Sequence, residues 1–175
     1  MPAWECKSSG SCPNDRDYWH KEGERLEVEF VSRCKARGIE AIINPKKKHD
    51  KYAPDLIVFG NLADLKCQFQ PFFTAYLKYR KNPQWSVTFN RKDYERYGEL
   101  YPDIDIYFWV WFEEQYRFGV KVLPVRGVWH SPFSRICSMV DDGVPEHVYH
   151  TRGGEGDVNA KSSFILNLKD MEKIA

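Results

Sequence analysis

Residues 52–69 read YAPDLIVFGNLADLKCQF, two short apolar runs of strand length joined at Gly60-Asn61, and the reading of this stretch decides the fold. Three ionisable residues interrupt it. Asp55 follows Pro54 at the head of the first run. Asp64 and Lys66 stand two apart in the second, so a strand's period of two puts them on one face. Two carboxylates and an ammonium inside a β-hairpin cost several kcal/mol in desolvation unless they pair or hold a metal. The plainer alternative is an exposed hairpin whose Asp64 and Lys66 form a surface pair worth little.

Upstream, Leu26, Phe30, Val31 and Cys34 recur at helical spacing and Gly38 follows as a stop, which predicts an amphipathic helix over residues 17–37. Glu27 lies beside its apolar stripe, with Glu24 and Glu29 close by, and a solvated charged face is the ordinary reading of such acids. Residues 38–43 then read as a strand. A basic loop, NPKKKHDK at 44–51, brings Lys46, Lys47, Lys48 and Lys51 toward Pro54-Asp55. A lysine run is commonly just solvated, yet beside carboxylates it is also what holding a polyanion against a metal centre requires.

Downstream, the same period of two places Gln68 on the face of Asp64 and Lys66. Residues 70–80 are aromatic and basic, and WSVTF at 85–89 reads as a strand. Asn90 is placed to cap a helix in which Tyr94, Tyr97 and Tyr101 keep helical spacing as far as Pro102. Those tyrosines read as core and the interleaved basic residues as its solvated flank, rather than as a stacking surface for nucleic acid. Residues 103–112, DIDIYFWVWF, form the most strand-like run. The segment 116–125 is expected to return beside it, followed by a short helix marked by Phe133, Ile136, Cys137 and Val140, a long loop over 144–161 and a last strand at 164–168. His130, His147 and His150 read as loop histidines. No glycine-rich phosphate loop and no G-x-S-x-G nucleophile motif occurs.

Pro54-Asp55 followed by Asp64-x-Lys66 on the neighbouring strand resembles the motif of the PD-(D/E)XK nucleases, the superfamily of many restriction enzymes and Holliday-junction resolvases. With Gly23 before it and Gly38 after it, the helix around Glu27 looks like the resolvase helix that carries a metal-site glutamate. The resemblance implies an α/β fold with a restriction endonuclease-like αβββαβ core, a mixed central sheet flanked by helices, spanning residues 17–112. Residues 113–175 would be an added C-terminal extension within the same single domain, and residues 1–16 a loose arm. It further implies a Mg²⁺-dependent DNA endonuclease, with Mn²⁺ able to substitute. In that reading Asp55, Asp64, the Cys67 carbonyl and Glu27 are metal ligands, Lys66 stands near the attacking water and Gln68 assists. The Gln-x-x-x-Tyr helix of the exonuclease branch is missing, since Phe72 and Thr74 stand where the tyrosine would be. The runner-up keeps the fold without the chemistry, as a silent module binding nucleic acid or a protein. A small-molecule hydrolase using the loop histidines is the third reading, and it would place the acids far apart.

Composition bounds these readings. The chain has 175 residues, 42% of them hydrophobic and 15% aromatic, enough for one packed core and too aromatic for a disordered chain. A net charge of +1 means that any surface for DNA, alone or as a homodimer, is local. Five scattered cysteines without a C-x-x-C pair suit a reducing, intracellular (cytoplasmic) setting, and no apolar run is long enough to span a bilayer.

Overall fold

A strand buried on both faces must be apolar throughout, and the run at 105–112 becomes the middle of the molecule for that reason. The computed structural model describes residues 16–149 and 162–175. The arm at 1–15 and most of the 144–161 loop, with Cys6, Cys12 and His150, lie outside the described residues. In chain order the elements are α1 (Arg16–Ala36), β1 (Ala41–Ile43), a 3-10 turn (Pro45–Lys48), β2 (Leu56–Val58), β3 (Asn61–Gln68), α2 (Thr74–Tyr79) and β4 (Ser86–Asn90). Then come α3 (Arg91–Leu100), β5 (Asp105–Phe112), β6 (Gln115–Arg117), β7 (Val120–Val122), β8 (Val125–Pro132), α4 (Phe133–Asp141), β9 (Glu146–Val148), β10 (Ser162–Asn167) and β11 (Glu172–Lys173).

The fold is mixed α/β. A six-stranded sheet runs β1-β2-β3-β5-β8-β11, antiparallel at every pair except β3/β5, which is parallel. A parallel neighbour needs a crossover, and here α2, β4 and α3 supply it. On β5, Tyr107 and Trp109 face α1 and pack with Phe30, Cys34, Leu56 and Leu65. Ile106, Phe108, Val110 and Phe112 face the other way, into a larger core with Phe89, Tyr97, Phe133, Ile136 and Phe164. That second core is closed by a three-stranded sheet, β4-β10-β9. α1 ends as expected, with Arg33 and Lys35 in its last turn suited to the dipole and Gly38 at φ +71°. Among the described residues no helix is long and apolar enough to cross a membrane.

Several local expectations are corrected. The hairpin turn is Phe59-Gly60, both at positive φ, and Asn61 already pairs with Val58 as the first residue of β3. A two-residue turn of this hand needs positive φ at both positions, so glycine takes the second one and the following residue is free to pair. The strand returning beside β5 is β8; the segment after Phe112 instead folds on itself as the small β6/β7 hairpin. Residues beyond 112 are no appendage, because β8 extends the main sheet, β10 pairs with β4, and Trp129, Phe133 and Phe164 sit in the larger core. His130 and His147 lie on strands rather than loops, His130 2.7 Å from Asp105 and His147 buried with its Nδ1 3.1 Å from the Tyr79 hydroxyl. Asn90 stands at the start of α3 but does not cap it with its side chain, which accepts from the Ser163 hydroxyl instead.

Candidate active site

Proline decides where the β2/β3 ladder stops. Their register ends at Leu56 opposite Ala63, and the next residues back are Asp55 and Pro54, the latter without an N–H to give. The two chains therefore fork. The Asp55 carboxylate takes the place of the missing strand, its Oδ2 accepting from the Leu65 N–H at 3.4 Å. Because backbone groups alternate along a strand, Leu65 and Cys67 both turn their N–H and C=O away from β5 and toward this fork. By the same alternation the Leu65 and Cys67 carbonyls belong to the fork edge of β3.

The acids reach the fork from both sides of the sheet. Asp64 and Lys66 share a face as the period of two demands, and that face looks into the larger core, where Lys66 Nζ lies 5.7 Å from the Phe89 ring centre and 6.0 Å from that of Tyr97. Glu27 arrives from the opposite side on α1, beside Phe30, and Asp55 stands in the fork between them. Glu24 and Glu29 are separated from Glu27 by their partners: Glu24 pairs with His20 and Glu29 with Arg25 and Arg33 on the exposed side of α1. Glu27, only 9% exposed, is therefore the helical acid of the site.

Two lysines hold these carboxylates. Lys66 Nζ is 2.7 Å from Asp64 Oδ2 and 2.5 Å from Asp93 Oδ2, and Asp93 also receives Arg96 at 2.9 Å. The contact to Asp64 is one of charge rather than of direction, since Oδ2 is buried and has no hydrogen-bond partner of good geometry. Lys47 Nζ donates to both Glu27 oxygens at 2.6 Å and to Asp55 Oδ1 at 2.7 Å. Lys47 is thus turned inward onto the acids rather than left in a solvated loop. The turn aims it inward: Asn44, 1% exposed, accepts from Lys46 N through its side chain and donates to the Pro54 carbonyl, pinning the turn to the fork. Lys46 and Lys48 face solvent, and Lys51 lies over the Tyr52 ring.

Gln68 does not join the carboxylate network. Its amide donates to the Ser86 and Gln70 carbonyls and accepts from Thr88 N, which ties β3 to β4. Asp93, Arg96 and Tyr97 are the members that sequence reasoning missed. Their only signal is the i, i+3 spacing of Asp93 and Arg96 on α3, which is common on any charged helix.

Electrostatics follow the burial. Desolvation lifts the Asp64 carboxyl, Lys66 pulls it back and Asp55 pushes it up again, and the result is a pKa raised to about 6. For Lys66, burial works against the charge, but Asp64, Tyr97, Asp93 and Asp55 outweigh it and hold the ammonium well above its ordinary value. Lys66 is therefore held as a positive charge in the metal-free protein. The Cys67 thiol is pushed up by burial first and then by Asp55 and Glu27, so it stays protonated.

Among the described residues no three His, Cys, Asp or Glu side chains stand in position to hold a metal ion, and Lys47 lies between Glu27 and Asp55. The donor chemistry nonetheless fits a hard divalent ion. The donors are carboxylate and carbonyl oxygens, as Mg²⁺ and Mn²⁺ prefer, and the buried Asp64 Oδ2, in charge contact with Lys66, still lacks a hydrogen bond. No family model, curated protein or solved structure matches the chain.

Proposed function

We propose that this chain is a divalent-metal-dependent DNA endonuclease of the PD-(D/E)XK type. The observation that carries the reading is the convergence at one fork of Glu27 from α1, Asp55 before β2, and Asp64 and Lys66 on β3, brought together from separate stretches of sequence. The order α1, β1, β2, β3, crossover and a strand parallel to β3 supports it, being the αβββαβ order such nucleases share.

Phosphodiesters resist hydrolysis because the nucleophile approaches an anion and an alkoxide must leave. A bound Mg²⁺ or Mn²⁺ supplies the Lewis acidity that polarises the phosphate and makes a nucleophile of water. Asp55 and Asp64 would hold it, with Glu27 and the carbonyls of Leu65 or Cys67 completing the donors. Lys66, kept charged by Asp64 and Asp93, orients the attacking water and offsets charge that develops on the phosphate oxygens. Lys46 and Lys48, exposed at the rim, take the DNA backbone.

The test is nicking of supercoiled plasmid that requires Mg²⁺, stops in EDTA and resumes on re-addition. Nicking indifferent to EDTA overturns the metal mechanism. A second reading is favoured by one observation, that Lys47 and Lys66 already pair with the carboxylates: a silent module that binds DNA or a protein partner. It expects DNA retention or partner binding with no nicking in either metal.

A further inference from the structure

Lys47 sits in the fork without a part in the hydrolysis proposed above. Its ammonium has three N–H donors, and all three are spent on acids: two on Glu27 at 2.6 Å and one on Asp55 at 2.7 Å. Those acids come from different elements, α1 and the residue before β2, so the ammonium bridges them as a metal ion would. The neighbours in the same turn do nothing similar, Lys46 and Lys48 being exposed.

The charges around it do not balance. Glu27, Asp55, Asp64 and Asp93 form one contiguous cluster with Lys47, Lys66 and Arg96. Lys66 and Arg96 answer two of the four carboxylates, which leaves two negative charges, and Lys47 supplies only one. A divalent cation in its place would answer both. Asp64 Oδ2, buried and without a hydrogen bond, lies in the same cluster. Exchange also needs little movement, because the turn is pinned through Asn44 and only the four-carbon lysine stem must swing.

We infer that Lys47 is a tethered counter-ion, which closes Glu27 and Asp55 in the metal-free protein, competes with the divalent ion for them, and on loading is released to the exposed Lys46/Lys48 rim to contact substrate phosphate. This rests on the metal-binding reading of the fork. Its consequence is that metal loading and phosphate grip are coupled: the ion cannot enter without freeing a cation for the DNA.

The test uses the full chain and two readouts other than activity. In the first, wild-type protein is labelled with an amine-reactive acetylating reagent, with and without saturating Mg²⁺, and each lysine is followed by mass spectrometry. Lys47 should label far more slowly than Lys46 and Lys48 without the ion and rise severalfold with it, while its neighbours stay level. In the second, Mg²⁺ affinity is measured by calorimetry for wild type, Lys47→Met and Asp55→Ala. Lys47→Met should bind tighter by roughly tenfold, within the range of ordinary coupling between sites. Lys47 labelling that ignores Mg²⁺, in a protein whose Mg²⁺ binding is lost in Asp55→Ala, overturns the tether and leaves the metal site standing. Absence of Mg²⁺ binding in both wild type and Lys47→Met overturns the tether and the metal site together. The labelling arm keeps the inference testable should Lys47→Met not fold.

Discussion

Replacing Asp64 with asparagine should change how stability depends on pH. The Asp64 carboxyl is 3% exposed, and its pKa in the folded protein is raised to about 6, burial being the largest cause. In the unfolded chain it titrates near the usual value of about 3.9. Between those values the native state holds a proton that the unfolded state has released, so stability is greatest below the unfolded value and falls as pH rises toward 6. The two values lie roughly two pH units apart, and at about 1.4 kcal/mol for each the total comes near 3 kcal/mol. About 2 kcal/mol of this falls between about pH 4.5 and about pH 7.5. Asparagine does not titrate, so Asp64→Asn should gain that amount on wild type across the interval when both are held in EDTA. For a chain of this size it corresponds to roughly 4–8 °C in the difference between melting temperatures. Thermal unfolding followed by tryptophan fluorescence at several pH values reads it directly. Melting curves that keep a constant separation from acid to neutral pH would refute the assignment of Asp64 as a buried, strained carboxylate.

Lys66→Ala removes no metal ligand and relieves a positive charge beside the site, so Mn²⁺ binding should persist or tighten while plasmid nicking falls by orders of magnitude; nicking at the wild-type rate rejects the role given to Lys66. Lys46→Ala with Lys48→Ala should weaken DNA binding and lower the salt slope by about one for each charge removed, as counterion release requires. An unchanged slope returns these residues to plain solvated loop. Gly127→Ala would set a Cβ 2.5 Å from the Ala175 carbonyl oxygen and 2.6 Å from Lys173 Cε. It should displace β11 at a cost of about 1–3 kcal/mol, measured by urea denaturation, with hydrogen exchange rising at Val128, whose N–H bonds that carbonyl. Unaltered protection there shows that the close approach is relaxed some other way.

What could be read from the chain was local. The β2/β3 hairpin and β5 are legible because strand period and apolar content are written into consecutive residues, and the shared face of Asp64 and Lys66 follows from spacing alone. Glu27 is legible as one of three acids, and only the packing of α1 on the sheet chooses among them. The inward aim of Lys47 is not legible: three consecutive lysines carry no periodicity, and Asn44 sets which of them turns toward the acids. Gln68 keeps the expected face yet is spent on Ser86 and Thr88, because that side chain meets β4 of the other sheet, whose pairing with β10 joins residues more than seventy positions apart. The place of β8 in the main sheet, likewise, depends on a small hairpin that folds on itself first, and apolar content does not distinguish the two returns.

The central claim is that Asp55 and Asp64 together hold a divalent cation. Titration of Mn²⁺ into wild type, Asp55→Ala and Asp64→Ala, with free ion followed by electron paramagnetic resonance, tests it without recourse to a substrate. The account predicts a Mn²⁺ site in wild type that is lost in each variant while the fold is kept. Equal Mn²⁺ binding by all three proteins would contradict it.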